Sequence, residues 1–503
     1  MIHAIKRLLI VLVGAVLQIS FSIFIRLFFN SYIAIIGVIY ELIGVIIIIN
    51  ILKDSRKLSR DIIWVIFILL SPLFGTILYT VFGTNLRRNK LFRSIKKAEK
   101  ENKKYLVQDE KIKNEIIKSD RDDLQYIVNY SGYPVTTNSK LTYYDFGEKF
   151  YPEFLKELKK AKKFIFMEYF IINKGKMWDS ILEILKEKAK AGVDVRLIYD
   201  DMGSIAMLSE KYPKELSELG IKCIAFNKMS PFKGIFMNNR DHRKITVIDG
   251  KVAFTGGVNL SDEYINEKER FGVWKDNGLK VEGEAIWNLT VMFLTLWNVN
   301  ISDSEKDKDY EKFKVESTIK IHDGFVVPYG LSPLYQNSIG EDIYLNMIDS
   351  AHNYLYIMTP YLVVDSDITS SLIRAAKRGV DVKIIVPGIP DKKFVYQLTT
   401  SYFRVLHENG VKICVYDKGF VHSKVFVSDD KKAIVGTINL DYRSLYLHFE
   451  NGVYFEENSE VKKVKEDCVS LIKECRELKD KDVKTSPVKR AWQMVIRLFA
   501  PLC

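Results

Sequence analysis

Two histidine–lysine pairs lie in near-copies of one another. HRKITVIDGKVAFTGGVNL runs from His242 to Leu260, and HSKVFVSDDKKAIVGTINL from His422 to Leu440. Each reads His-x-Lys-x4-Asp, then two small residues seven and eight positions after the Asp, then Asn two positions further. This set suits phosphoryl transfer. A neutral imidazole can attack phosphorus and form a covalent intermediate. A protonated imidazole can give its proton to the departing alcohol, because histidine titrates near neutrality. One histidine cannot hold both states at once, so two related by duplication divide the roles. Lys244, Lys424, Asn259 and Asn439 would bind the non-bridging oxygens and the charge that develops on them. Asp249 and Asp429 either orient the imidazoles or cap turns. Neither copy offers the carboxylate cluster of a magnesium site, and no metal or cofactor is expected. The other five of the seven histidines (His3, His322, His352, His407, His448) lack the pattern and read as structural.

The elements that must hold these residues also come in duplicate. With period-two alternation His242 and Lys244 share one strand face, as do His422 and Lys424. Each strand ends at a turn (Asp249-Gly250 or Asp429-Asp430), and a second strand leads into Gly256-Gly257 or Gly436-Thr437. Small residues there admit a bound group close to the backbone, which makes Gly257 and Thr437 candidate binding positions. Upstream, KKFIFMEYFII (Lys162 to Ile172) and HNYLYIMTPYLV (His352 to Val363) read as buried strands. Each precedes a helix and a further strand, AGVDVRLIYD or RGVDVKIIVP. This βα rhythm predicts α/β lobes built on mainly parallel sheets. The division expected is two similar lobes, 136–310 and 311–480, forming one active site.

Composition adds context. The chain has 503 residues and a net charge of +12, which favours phosphate-rich partners without choosing among them. Its five cysteines form no C-x-x-C and suggest neither a disulfide scaffold nor a zinc site. Residues 1–83 hold three apolar stretches, Leu8 to Ile25, Tyr32 to Leu52 and Ile62 to Phe82, the last broken by Ser71-Pro72. They predict two or three N-terminal transmembrane helices. A basic connector, 84–135, follows. Together the spans predict a multi-pass membrane protein, and the connector's positive charge places the catalytic lobes on the cytoplasmic side. Residues 481–503 read as a basic amphipathic tail of interfacial composition.

The doubled H-x-K-x4-D with its following G-G or G-T and Asn resembles the phospholipase D superfamily. IFMEYFI around Glu168, TPYL at Thr359 to Leu362, and NLDYRSLYLHFE from Asn439 to Glu450 resemble the bacterial cardiolipin synthases within it. The resemblance covers nearly the whole chain. It implies phosphatidyl transfer between two phosphatidylglycerol molecules, giving cardiolipin and glycerol through a phosphohistidine. It further implies His242 as nucleophile and His422 as general acid and then base. Glu168, Glu450, Asp249 and Asp429 would orient the histidines. Phosphatidylglycerol and other anionic phospholipids are the implied partners, with no nucleic acid and no obligate protein partner. Hydrolytic phospholipase D activity and transfer to another alcohol are the alternatives. One departure stands out: the family's W-R-D-T-H is Trp274-Lys275-Asp276-Asn277-Gly278 here, where an altered acceptor contact is expected.

Overall fold

The computed structural model describes residues 32–53, 58–80, 90–119, 121–228, 239–335 and 338–502. Two seven-strand arrangements of identical order form its body. In the first, the strands run Ser139–Tyr144, Gly278–Gly283, Val252–Gly256, Lys244–Ile248, Phe164–Tyr169, Asp194–Asp200 and Lys222–Phe226. In the second they run Phe325–Leu331, Glu450–Glu456, Lys432–Gly436, Val425–Ser428, Tyr354–Met358, Asp381–Pro387 and Lys412–Tyr416, with Arg476–Glu477 added at the edge. The sequence duplication is therefore a duplication of sheet order.

The sheets are mixed, which corrects the expectation of mainly parallel ones. Within them only the strands linked by helices pair in parallel: Phe164–Tyr169, Asp194–Asp200 and Lys222–Phe226 in the first, Tyr354–Met358, Asp381–Pro387 and Lys412–Tyr416 in the second. The other pairings are antiparallel; Lys244–Ile248 and Val252–Gly256 form a tight hairpin, as do Val425–Ser428 and Lys432–Gly436, and the rest join strands farther apart in the chain. At one such hairpin Asp249 and Gly250 both take positive φ, 54° and 65°, the backbone of a turn that matches strand twist. Asp429 and Asp430 do the same at 56° and 59° in the second lobe.

Each sheet buries one apolar face under its own helices. Trp178, Ile181 and Leu185 of the helix Lys176–Lys190 cover Met167 and Leu197 in the first lobe. Ile368, Leu372 and Ala375 of the helix Ser366–Lys377 do so over Ile357 and Ile384 in the second. The segment read as a basic connector is not loose. It forms the helices Lys90–Asn102, Glu110–Lys118 and Asp122–Tyr130, and its Ile116, Leu124 and Ile127 join the second lobe's core.

The N-terminal unit overturns the expected multi-pass topology. Among the described residues no helix is long and apolar enough to cross a membrane. The first apolar stretch lies outside the described residues. The third is split, because Pro72 has no N–H to continue a helix and clashes with the preceding turn. It yields Leu58–Leu70 and Pro72–Leu78, of 13 and 7 residues, both short of the roughly 20 that a span requires. Ile63, Trp64, Ile68 and Leu78 bury together with Ile51 of the helix Tyr32–Leu52.

Candidate active site

The His-x-Lys segments meet where the lobes exchange strands. Val273–Lys275 of the first lobe pairs in parallel with Gly419–Val421 of the second. The His422 amide then donates to the Lys275 carbonyl at 2.7 Å. In the mirrored exchange, the His242 amide donates to the Phe449 carbonyl at 2.8 Å. Each histidine is thus fixed by backbone from the opposite lobe.

Their side chains are crossed in the same way. His242 Nδ1 lies 2.9 Å from Glu450 Oε2, a residue of the second lobe. His422 Nδ1 lies 2.6 Å from Asp276 Oδ2, a residue of the first. Both pairs are buried, and both leave Nε2 outside the pairing. Trp274 covers the His422 ring at 5.5 Å between centroids, and His448 takes the matching place beside His242 at 5.6 Å. Lys244 and Lys424 are buried too, each donating to the carbonyl of the histidine two residues before it. The positive charges of Lys244 and Lys424 both act on His242, and both act on His422, so the two sets form one centre.

Burial and this shared positive field keep the imidazoles neutral in the free protein. Burial first, then Lys244, His448 and Lys424, push His242 well below the ordinary histidine value. His422 falls to about 4 for the same first reason and through Lys424, while Asp276 pulls the other way. The lysines lose affinity for their protons on burial as well, to about 7 at Lys244 and about 8 at Lys424. The two carboxyl groups differ. Burial drives Glu450 well above the usual carboxylate range, against the pull of Lys244. At Asp276 burial acts in the same sense, but His422 and Lys424 outweigh it and hold the group below its usual value.

Several residues singled out from sequence do other work. Asp249 accepts from the amides of Lys162, Lys163 and Phe164 at 2.7–2.9 Å. Asp429 accepts from His352, Asn353 and Tyr354 at 2.7–3.0 Å. Seven residues of extended chain put each roughly 23 Å from its histidine, so neither orients an imidazole. Glu168 does not reach a histidine either. Its strand register sets it opposite Ile245, on the face that carries Arg243 rather than Lys244. There it lies 3.6 Å from the Arg243 guanidinium and beside Asp241.

Gly257 and Thr437 act through the carboxyl groups. A Cβ on Gly257 would fall 1.9 Å from Asp276 Oδ1, so only glycine leaves that carboxylate its place. Thr437 instead donates its hydroxyl to Glu450 Oε2. Asn259 accepts from the Ile171 amide and donates to the Tyr264 hydroxyl, which leaves it one further N–H. Asn439 is buried with its Oδ1 unpartnered and is placed beside Asp441.

Two residues were missed. Asp276 falls in the stretch read as an acceptor contact, whereas its carboxylate orients His422. Gly278 in that stretch is packed against Phe150, and a Cβ there would lie 2.2 Å from the ring. The signal was available: Asp276-Asn277-Gly278 echoes Glu450-Asn451-Gly452. His448, read as structural, stands at the centre. Among the described residues His242, His448 and Glu450 offer metal-ligand atoms within 4.8 Å of one another. That donor set resembles zinc ligation, but Lys244 already places a positive charge against it.

Two duplicated lobes, each presenting a buried histidine oriented by the other's carboxyl group and flanked by lysines, define a two-histidine phosphoryl-transfer enzyme. The model of the cardiolipin synthase, phospholipase D-like domain matches residues 154–297 and 344–472. A cardiolipin synthase of Alkalihalophilus pseudofirmus is 33% identical over 473 residues, covering 93% of each chain. An uncharacterized protein of Streptococcus mutans is 43% identical over 460 residues, 90% of this chain and 98% of its own. Among solved structures, phosphatidylserine synthase of Haemophilus influenzae shares the fold with a TM-score of 0.58 at 14% identity, over 76% of this chain and 99% of that one. The chain belongs to the cardiolipin synthase family of phospholipase D-like phosphatidyltransferases.

Proposed function

We propose that this enzyme transfers a phosphatidyl group from one phosphatidylglycerol to the free headgroup hydroxyl of a second, releasing glycerol and forming cardiolipin. The observation that carries the division of labour is the inequality of the two histidine–carboxyl pairs. An incoming phosphodiester brings negative charge and raises the affinity of both imidazoles for a proton. His422, 2.6 Å from an Asp276 held in its ionised form, is the better place for that proton. His242, paired with a Glu450 that resists ionisation, stays neutral.

His242 Nε2 then attacks phosphorus as His422 gives its proton to the departing glycerol oxygen. One P–O bond breaks and one P–N bond forms. In the second half His422, now neutral, takes the proton of the acceptor hydroxyl, whose oxygen displaces His242. Lys244, Lys424, Asn259 and Asn439 stabilise the charge on the non-bridging oxygens.

Purified full-length protein given phosphatidylglycerol should yield cardiolipin and glycerol in equal amounts. Phosphatidic acid as the sole lipid product would replace this reading with hydrolysis.

A further inference from the structure

The helix Pro487–Arg497 carries a face that the protein leaves uncovered. Ser486 caps its start by accepting from the Lys489 amide. Its far end is tied down: Ile496 is buried, and Arg497 donates to the Ser401 hydroxyl and carbonyl and lies 4.6 Å over the Tyr402 ring. One face of the helix therefore docks on the helix Lys393–His407. On the other, Val488 is 80% exposed, Trp492 52%, Met494 58% and Val495 46%, with Leu498 beyond them. At 100° per residue these side chains and Ala491 fill one continuous arc of roughly 160°. Isolated exposed apolar residues need no explanation, but a contiguous set including a tryptophan marks a contact surface.

Charge says what the contact is with. From Lys484 to the end the chain holds Lys489, Arg490 and Arg497 besides Lys484, and no acidic residue. An apolar arc bordered only by positive charge matches the boundary of an anionic bilayer, where apolar burial and attraction to headgroups add. The supporting helix has a second connection. Its approach, Asp391 and Lys392, exerts its charge on Lys424 and His448 of the catalytic centre. Lys393 and Phe394 beside them are exposed, as is Ile389.

We infer that the helix Pro487–Arg497 lies flat on the surface of an anionic phospholipid bilayer, docking the catalytic body there without crossing it. The inference concerns binding and stands whether or not the proposed transfer reaction is correct.

The test uses the full chain and vesicles of phosphatidylglycerol mixed with phosphatidylcholine, or phosphatidylcholine alone. Val488→Ser/Trp492→Ser/Val495→Ser should weaken binding to the anionic vesicles at least tenfold. Brominated lipid should quench the unaltered protein more than Trp492→Phe, and high salt should reduce the difference. Activity on short-chain phosphatidylglycerol below its micellar concentration should be the same in the triple variant, which checks its fold and separates this idea from the catalytic one. Equal vesicle affinity, or quenching that Trp492→Phe leaves unchanged, would overturn the inference. So would light scattering that shows the triple variant turning a dimer into monomers while Trp492 stays unquenched, since a second copy would then be the occupant.

Discussion

The two half-sites share a backbone plan and differ in their chemistry. Both hold a histidine by a hydrogen bond from its backbone N–H to a carbonyl of the other lobe and by a carboxyl group from the other lobe. In one, glycine at 257 leaves room for Asp276, which stays ionised. In the other, Thr437 donates to Glu450, which burial pushes toward its neutral form. The first arrangement favours an imidazolium and the second a neutral ring. The proposed acid and nucleophile rest on this difference between the carboxyl groups, which burial and the neighbouring charges set.

The comparison can be broken first at the histidines themselves. His242→Ala should remove transfer altogether, a loss of about 10⁴ or more. His422→Ala should lose about 10²–10⁴, the share of one proton transfer, as read by cardiolipin formation. Equal losses on a substrate with a strongly activated leaving group would contradict the division, because such a group needs no acid.

The carboxyl groups sharpen it. Asp276→Asn removes the anion that favours protonated His422. The imidazole's pKa then falls, so the alkaline limb of the rate profile should move to lower pH, with a rate loss of about 10²-fold or more. Glu450→Gln removes less charge, because Glu450 is already displaced toward its neutral form. Its alkaline limb should move less. A larger shift for Glu450→Gln would reverse the assignment.

The small residues come next. Gly257→Ala forces a methyl group against Asp276 and should lower kcat about tenfold or more while leaving the melting temperature within a few degrees. Thr437→Gly removes one hydrogen bond to Glu450 and should cost less. Last, Asp249→Ala and Asp429→Ala should leave the rate of the folded enzyme unchanged. Each strands backbone amides and should reduce stability by about 1–3 kcal/mol in denaturant melts. A selective loss of kcat would return these aspartates to the site.

What the sequence revealed follows from where partners lie along the chain. The His-x-Lys pairs and their asparagines were legible because the repeat places them within one hairpin each. The histidine–carboxyl pairs were not, since they join residues 208 and 146 positions apart across two lobes. Glu450 came through the resemblance, but its counterpart Asp276 showed only as a D-N-G echoing E-N-G. Asp249 misled because an aspartate in a histidine motif suggests an orienting role, whereas strand length carries it to the far end. The parallel sheet was over-predicted for a related reason: the helices between strands dominate the sequence pattern, while most antiparallel pairings join segments far apart in the chain. At the N-terminus apolar content was plain, but Pro72 splits the third stretch into helices of 13 and 7 residues, and among the described residues no helix is long and apolar enough to cross a membrane.

The most direct measurement maps the covalent intermediate. Full-length protein mixed with phosphatidylglycerol is quenched in base, which preserves phosphohistidine, and its peptides are analysed by mass. The expected result is a phosphatidyl adduct on the peptide containing His242, retained in His422→Ala given an activated donor and absent from His242→Ala. An adduct on His422, or one that survives in His242→Ala, would contradict it.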